Sequence, residues 1–297
     1  MKVGVILPLF SGDPAKVVDA AREAESLGYD GVFAFDHFFP PGAPPDRPSL
    51  EVFSTLGAVA AATDEIAIGT LVARASLRPV GLLAKSAAWL DAASGGRFVL
   101  GLGTGDATDR AEHIAYGIPM LGTEERRAHL GETVRALKAL FCGDPSTAGE
   151  LVPRIEGPLA PPPAQTDGPP VWLAGHAEEI LHMAGRLADG WNGWGLDVEE
   201  FRAKAAVLAR ASEEADRVAV PTWAGIVLVG RDEDETTELL ERRQARGMDD
   251  AAWVGTTEEL AAFFRGMRGA GAAWVILVAA GPRDRRRVIA REVLAAI

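Results

Sequence analysis

The sequence is poor in cysteine: Cys142 is the single one among 297 residues. One thiol closes no internal disulfide and builds no cysteine-based zinc site. This excludes a disulfide-stapled secreted scaffold and makes the reducing cytoplasm the expected compartment. Also lacking is any uninterrupted apolar stretch near the ~20 residues that a spanning helix needs, so no membrane partner is expected. The first residues, Met1-Lys2-Val3-Gly4-Val5-Ile6-Leu7, have the look of a short secretory apolar region. They lack a small-residue cleavage site and run straight into Pro8, so a buried first strand is the better reading. Basic residues are in deficit, 30 Lys and Arg against 42 Asp and Glu, giving a formal charge of −12. That field repels phosphate backbones and excludes nucleic acid as an expected partner. An anionic small molecule would need a local cluster of cations or backbone N–H groups.

What is present is ordinary globular material, 48% hydrophobic and 24% charged. Short runs rich in Val and Ile alternate with segments whose apolar residues recur at helical spacing. Strands are expected over residues 2–7, 31–35, 65–72, 97–101, 171–174, 190–194, 222–229 and 273–278. Helices are expected over 15–27, 49–63, 79–93, 123–141, 177–187, 198–215, 233–246, 257–269 and 282–296. Eight strands alternating with helices in about 300 residues fit an α/β fold, the closed (β/α)8 barrel (TIM barrel), which needs ~250 residues plus insertions. An open doubly wound sheet is the alternative. The chain reads as one domain over 1–297, with irregular insertions at about 107–122 and 143–170 expected at the C-terminal face.

In such a barrel, chemistry sits at the carboxyl ends of the strands. Strand two ends in Asp36-His37, strand three in Thr70-Leu71-Val72-Ala73-Arg74, strand four in Gly101-Leu102-Gly103-Thr104-Gly105-Asp106. Strand five ends in Gly175-His176, and strand six carries Trp191-Asn192-Gly193-Trp194. The glycines after strand four do not make a dinucleotide fingerprint, because the third glycine of G-x-G-x-x-G would fall at Asp106. They suit close approach of the backbone to a flat ring. No metal is expected: the first strand, Val5-Ile6-Leu7-Pro8, lacks the His-x-His pair that a metal-dependent hydrolase barrel carries there. Histidine is the side chain whose ordinary pKa lies nearest neutrality, so His37 suits proton transfer. Asp106 either shares that role or caps the turn after the glycines. Backbone N–H groups around Gly175 and His176, at the start of a helix, suit an anion, with His176 or Arg74 supplying positive charge. Arg97 opens a strand and so belongs to the stabilising end of the barrel. Of the strand-six residues, Trp191 or Asn192 is expected to face the mouth.

Residues 90–105, Leu90-Asp91-Ala92-Ala93-Ser94-Gly95-Gly96-Arg97 running through a strand into Gly101-Leu102-Gly103-Thr104-Gly105, closely resemble the luciferase-like superfamily pattern. Asp36-His37 resembles its deazaflavin (coenzyme F420) branch, which includes methylenetetrahydromethanopterin reductases, secondary-alcohol dehydrogenases and glucose-6-phosphate dehydrogenases. Ala188-Asp189-Gly190-Trp191 and Val254-Gly255-Thr256 are similar to the family as well. The resemblance implies hydride transfer between coenzyme F420 and a small organic substrate in a homodimer. An FMN-dependent monooxygenase is the alternative, and a non-catalytic flavin-binding barrel a further one. It implies His37 and Asp106 as acid/base residues. Cofactor contacts are implied at Asp36, Thr70, Leu71, Val72, Gly103, Gly105, Gly175 and His176, with Asp36 touching the ring or orienting His37. It also implies a cis peptide between Leu71 and Val72 behind the ring.

Overall fold

Val- and Ile-rich runs buried on both faces become parallel strands, because only a sheet covered on both sides can hide them. The computed structural model describes residues 1–248 and 252–297. Its strands are β1 (Lys2–Ile6), β2 (Gly31–Ala34), β3 (Ala67–Arg74), β4 (Phe98–Gly103), β5 (Val171–Ala174), β6 (Gly190–Trp194), β7 (Val220–Gly230), β8 (Ala252–Thr256) and β9 (Trp274–Ala280). The main helices are α1 (Pro14–Ser26), α2 (Val52–Ala62), α3 (Val80–Ala93), α4 (Arg110–Ala115), α5 (Thr123–Phe141), α6 (Glu178–Leu187), α7 (Val198–Glu214), α8 (Glu233–Gln244) and α9 (Thr257–Gly269). β1 to β7 pair in sequence order, and β9 closes the ring between β7 and β1. The fold is the expected (β/α)8 barrel.

Four details differ from expectation. β8 is an additional strand: β6 pairs with β7 only as far as Ala224, and β8 takes the vacated edge from Ile226 to Gly230. A strand of 11 residues outruns a neighbour of five, and the exposed ladder needs a cover. The expected last helix is broken into a short α-helical turn, α10 (Arg285–Val288), a π-helical turn (Ile289–Val293) and a 3-10 turn (Leu294–Ala296). Residues 143–170 are irregular as expected, but they do not lie at the C-terminal face. They join the end of α5 to the start of β5, so they begin and end at the amino-terminal face. Along the way they pack on the outer helices: Glu132 of α5 accepts from the amides of Glu150, Leu151 and Val152, and Asp91 of α3 from those of Ala164 and Gln165. The other insertion, 107–122, does cap the C-terminal face and is not wholly irregular, since it contains α4.

The barrel interior is plugged by three rings, Phe33, Trp172 and Trp274, whose centroids lie 5.6 to 5.8 Å apart. Glycines on the strands make room for them. A Cβ at Gly31 would fall 2.8 Å from Trp274, and one at Gly69 2.7 Å from Phe33. This plug closes the barrel from below and leaves the strand carboxyl ends as the open side. At the opposite end Arg97 behaves as expected, donating to Ser94 O, Thr63 Oγ1 and the carbonyls of Ala60, Thr63 and Ile66, and so tying α2 to the start of β3 and β4.

Candidate active site

Above the aromatic plug, partly buried Phe35, Val72 and Trp194 line the open end of the barrel. Phe10, in the turn after β1, sits 6.2 Å from Phe35, and Trp194 5.9 Å from it. The result is an apolar opening bordered by aromatic rings, Phe10 stacked on Phe35 and Trp194 edge-on to it. Of the strand-six residues, Asn192 and Trp194 point into the barrel; Asn192 donates to Thr222 Oγ1 at 2.9 Å. Trp191 points outward and stacks on Phe201 of α7 at 5.6 Å.

β2 delivers Asp36 and His37 to this opening, and alternation sends them to different partners. Asp36 is 5% exposed and accepts two hydrogen bonds from Arg78, at 2.6 and 2.9 Å, and one from the Arg74 amide at 3.1 Å. His37 is oriented by another acid: its Nδ1 lies 2.7 Å from Oε1 of Glu112, on α4. Oε2 of the same carboxylate accepts from the Phe38 amide and from Arg74 Nη2, both at 2.7 Å. Asp109 stands beside them, 3.4 Å from Arg74 Nη1 and 3.9 Å from His37 Nδ1. Burial works against the charged form of Glu112. The bonds from His37 and Phe38, and the Arg74 charge, outweigh it and hold the carboxyl below its ordinary range. His37, Asp109 and Glu112 bring ligand atoms within 4.8 Å of one another, yet the guanidinium of Arg74 already supplies the cation between the two acids.

The glycines of β4 have a steric reason of their own in the neighbouring strand. The Leu71–Val72 peptide is cis, and the pairing of β3 with β4 shifts between Thr70 and Ala73. This bulge presses on β4: a Cβ at Gly101 would meet Thr70 O at 2.2 Å, and one at Gly103 would meet Val72 Cγ2 at 2.8 Å. Those two glycines therefore admit the neighbouring strand. Thr70 locks the bulge by donating its hydroxyl to Gly101 O at 2.7 Å. Gly105 takes a left-handed φ of +68°, and a Cβ there would strike Asp109 Oδ2 at 2.7 Å. That turn is what lets the chain fold Asp109 back onto the Asp106 amide and lead into α4. Asp106 is exposed, and its Oδ1 caps the turn by accepting from the Thr108 amide at 2.6 Å and from the Thr108 hydroxyl.

Gly175 and His176 precede α6 rather than opening it; Ala177 is the cap residue and provides no side-chain acceptor. The Glu178 and Glu179 amides are thus without a side-chain cap. His176 does not supply the positive charge. Burial, and the charge of Lys204, hold its pKa below the ordinary value, and its Nε2 accepts from the Trp194 amide at 3.2 Å. Lys204 of α7 is the cation there, donating to His176 O at 2.9 Å. Arg74 is buried under Glu112 and Asp109 and serves a different cluster.

Residues 1–287 match the luciferase-like monooxygenase family. The chain belongs to that family. An F420-dependent glucose-6-phosphate dehydrogenase of Nakamurella multipartita is 32% identical over 185 residues, which cover 60% of this chain and 51% of that one. The chain thus spans about half the length of the curated relatives it matches. Among solved structures, an F420-dependent secondary alcohol dehydrogenase bound to an F420–acetone adduct superposes with a TM-score of 0.84 at 17% identity, covering 100% of this chain and 99% of the other. A riboflavin lyase holding modified FMN and riboflavin superposes at 0.80 with 16% identity, covering 99% and 90%. These two likenesses show the barrel fold. Among the described residues, no helix is long and apolar enough to cross a membrane.

Four charged residues at this end of the luciferase-like barrel are not singled out by the sequence: Glu112, Asp109, Arg78 and Lys204. The signal that could have found Arg78 is its spacing from Arg74. Two cations four residues apart at a strand end stand out in a chain of charge −12.

Proposed function

We propose that this chain is an oxidoreductase that moves a hydride between coenzyme F420 and a small organic substrate, with His37 handling the accompanying proton. The observation that carries the reading is His37 at a barrel strand end, its Nδ1 held at 2.7 Å by a buried carboxylate and the ring set against Phe10 and Phe35. The sequence relationship to F420-dependent dehydrogenases supports the choice of cofactor.

The residues present fit a flat, anionic cofactor. Phe10, Phe35, Val72 and Trp194 form apolar walls for a ring, with Leu71 and Val72 behind it. The uncapped start of α6 and Lys204 would hold its phosphate. When bound, the deazaflavin supplies the carbon that gives or takes the hydride. His37 holds or releases a proton at the nitrogen that Glu112 leaves free. Asp106 is the second acid/base candidate, its Oδ2 not needed for the cap it makes with Oδ1. Phe38, stacked on Tyr116 at 4.2 Å, lies against the Arg74 guanidinium and adds an aromatic face beside the His37 cluster. We also propose that the protein works as a homodimer in the cytoplasm, and that its substrate is a small molecule. The riboflavin lyase likeness keeps FMN as the second reading.

Turnover tests the proposal. The purified protein is mixed with F420 and panels of secondary alcohols, sugar phosphates and reduced pterins, and loss of the oxidised cofactor's absorbance is followed. Substrate-dependent reduction that His37→Ala abolishes supports the reading. Oxygen-dependent turnover with reduced FMN, and none with F420, would replace it by the monooxygenase reading.

A further inference from the structure

We infer that Glu112, itself held by Arg74, is the positioning residue that fixes His37 as the Nδ1–H tautomer and so assigns proton transfer to Nε2. The inference deepens the oxidoreductase reading and rests on it for the word transfer; the tautomer itself does not depend on any cofactor.

The argument starts with donor counting. An ionised carboxylate only accepts hydrogen bonds. Glu112 receives three short contacts: Phe38 N–H and Arg74 Nη2 on Oε2, and His37 Nδ1 on Oε1. Two of these partners are obligatory donors, and one is a permanent cation at 2.7 Å. Against that company the carboxyl stays ionised, so the 2.7 Å contact to His37 requires a proton on Nδ1. A neutral imidazole then carries its lone pair on Nε2. Free histidine side chains favour the opposite tautomer, so the arrangement reverses an intrinsic preference.

The surroundings make the reversal rigid. Glu112 is 2% exposed and Arg74 4%. The charged groups facing His37 come from each element packed on it. Asp109 and Glu112 come from the turn and helix after β4, and Arg74 from the end of β3; Asp36, the residue before His37, is taken up by Arg78 from the segment between β3 and α3. Phe10 and Phe35 flank the ring at 6.3 Å each and contribute no polar atom that could compete for Nδ1. Gly105, with its left-handed φ, is the hinge that brings α4 back over β2 and delivers the acid.

Nitrogen-resolved NMR of the unliganded protein, at a pH above the histidine titrations, reads the tautomer directly. His37→Asn identifies the His37 signals among the five histidines. In the unmodified protein His37 must show a protonated Nδ1 and an unprotonated Nε2. Glu112→Gln keeps the shape but can turn an N–H toward Nδ1. It is expected to move His37 toward the Nε2–H form while the other histidines are unchanged. A wild-type His37 in the Nε2–H form overturns the inference without any variant having to fold. So does a folded Glu112→Gln protein whose His37 tautomer is unaltered. A wild-type Nδ1–H signal in a protein that fails to reduce F420 would leave the tautomer standing and remove the functional reading.

Discussion

Arg78 clasps Asp36 through both carboxylate oxygens, at 2.6 and 2.9 Å, while His37, the next residue, is held by Glu112. Adjacent residues at one strand end therefore belong to two separate acid–base clusters, and their substitutions should give different signatures. Removing one partner of a buried pair leaves an uncompensated charge, at a cost of about 3 kcal/mol or more. Asp36→Ala should lower the midpoint of urea unfolding by that equivalent with the slope unchanged, besides weakening cofactor binding. A loss of binding with undiminished stability would place Asp36 in direct contact with ligand instead.

His37→Ala leaves Oε1 of buried Glu112 without its donor and should cost about 1 to 3 kcal/mol, less than Asp36→Ala, in a protein that still folds. In the F420 assay its kcat should fall by about 100- to 10,000-fold, the range for losing a positioned acid or base, with little change in cofactor affinity. Normal turnover in the folded variant would pass the role to Asp106.

Gly101→Ala should destabilise the protein by about 1 to 3 kcal/mol, because the new methyl meets backbone that can move only by undoing the bulge. Gly269→Ala is the control: nothing lies within 4 Å of its Cβ, and the change should be neutral or mildly stabilising. Thermal unfolding of the pair decides it. Equal effects would mean that the close approach of β3 and β4 carries no weight.

Acid should loosen the junction of α1 with β3. Glu25 accepts from the amides of Asp64, Glu65 and Ile66 at 2.8 to 3.0 Å. Burial opposes its charge, yet these bonds hold its pKa below the ordinary 4.5. A depressed folded pKa gives stability that is fully present above 4.5 and is lost as pH falls through the folded value. Glu25→Gln should therefore cost stability at pH 7 and progressively less below that window. A pH-independent difference would contradict this origin.

The homodimer is checked by light scattering at micromolar concentration. Leu82 and Trp89, seven apart on α3, expose 56% and 50% of their surface and present one apolar face. Two chains per particle, and one for Trp89→Asp, are expected.

The barrel was legible because each strand is a short apolar run between helical patterns, a signal contained within a few residues. His37 was legible because strand order puts it at the open end; the cis Leu71–Val72 peptide was legible only through the resemblance to the luciferase-like family, since the residues themselves carry no mark of cis geometry. Glu112 was not. It lies 75 residues from His37 on a helix too short to show periodicity, and its role arises only when Gly105 reverses the chain. β8 was missed because its cause is the length of β7, not its own composition. The place of residues 143–170 could have been deduced: a loop leading from helix to strand belongs to the amino-terminal face of such a barrel, whatever its composition.

The most direct test of the account is a fluorescence titration of the purified, ligand-free protein with F420 and with FMN under the same conditions, with NAD as a control. A site built from the apolar walls, the uncapped start of α6 and Lys204, and related to F420-dependent dehydrogenases, should bind F420 at least tenfold more tightly than FMN and ignore NAD. FMN favoured tenfold, a preference of about 1.4 kcal/mol, would contradict it and move the chain to the monooxygenase side of its family.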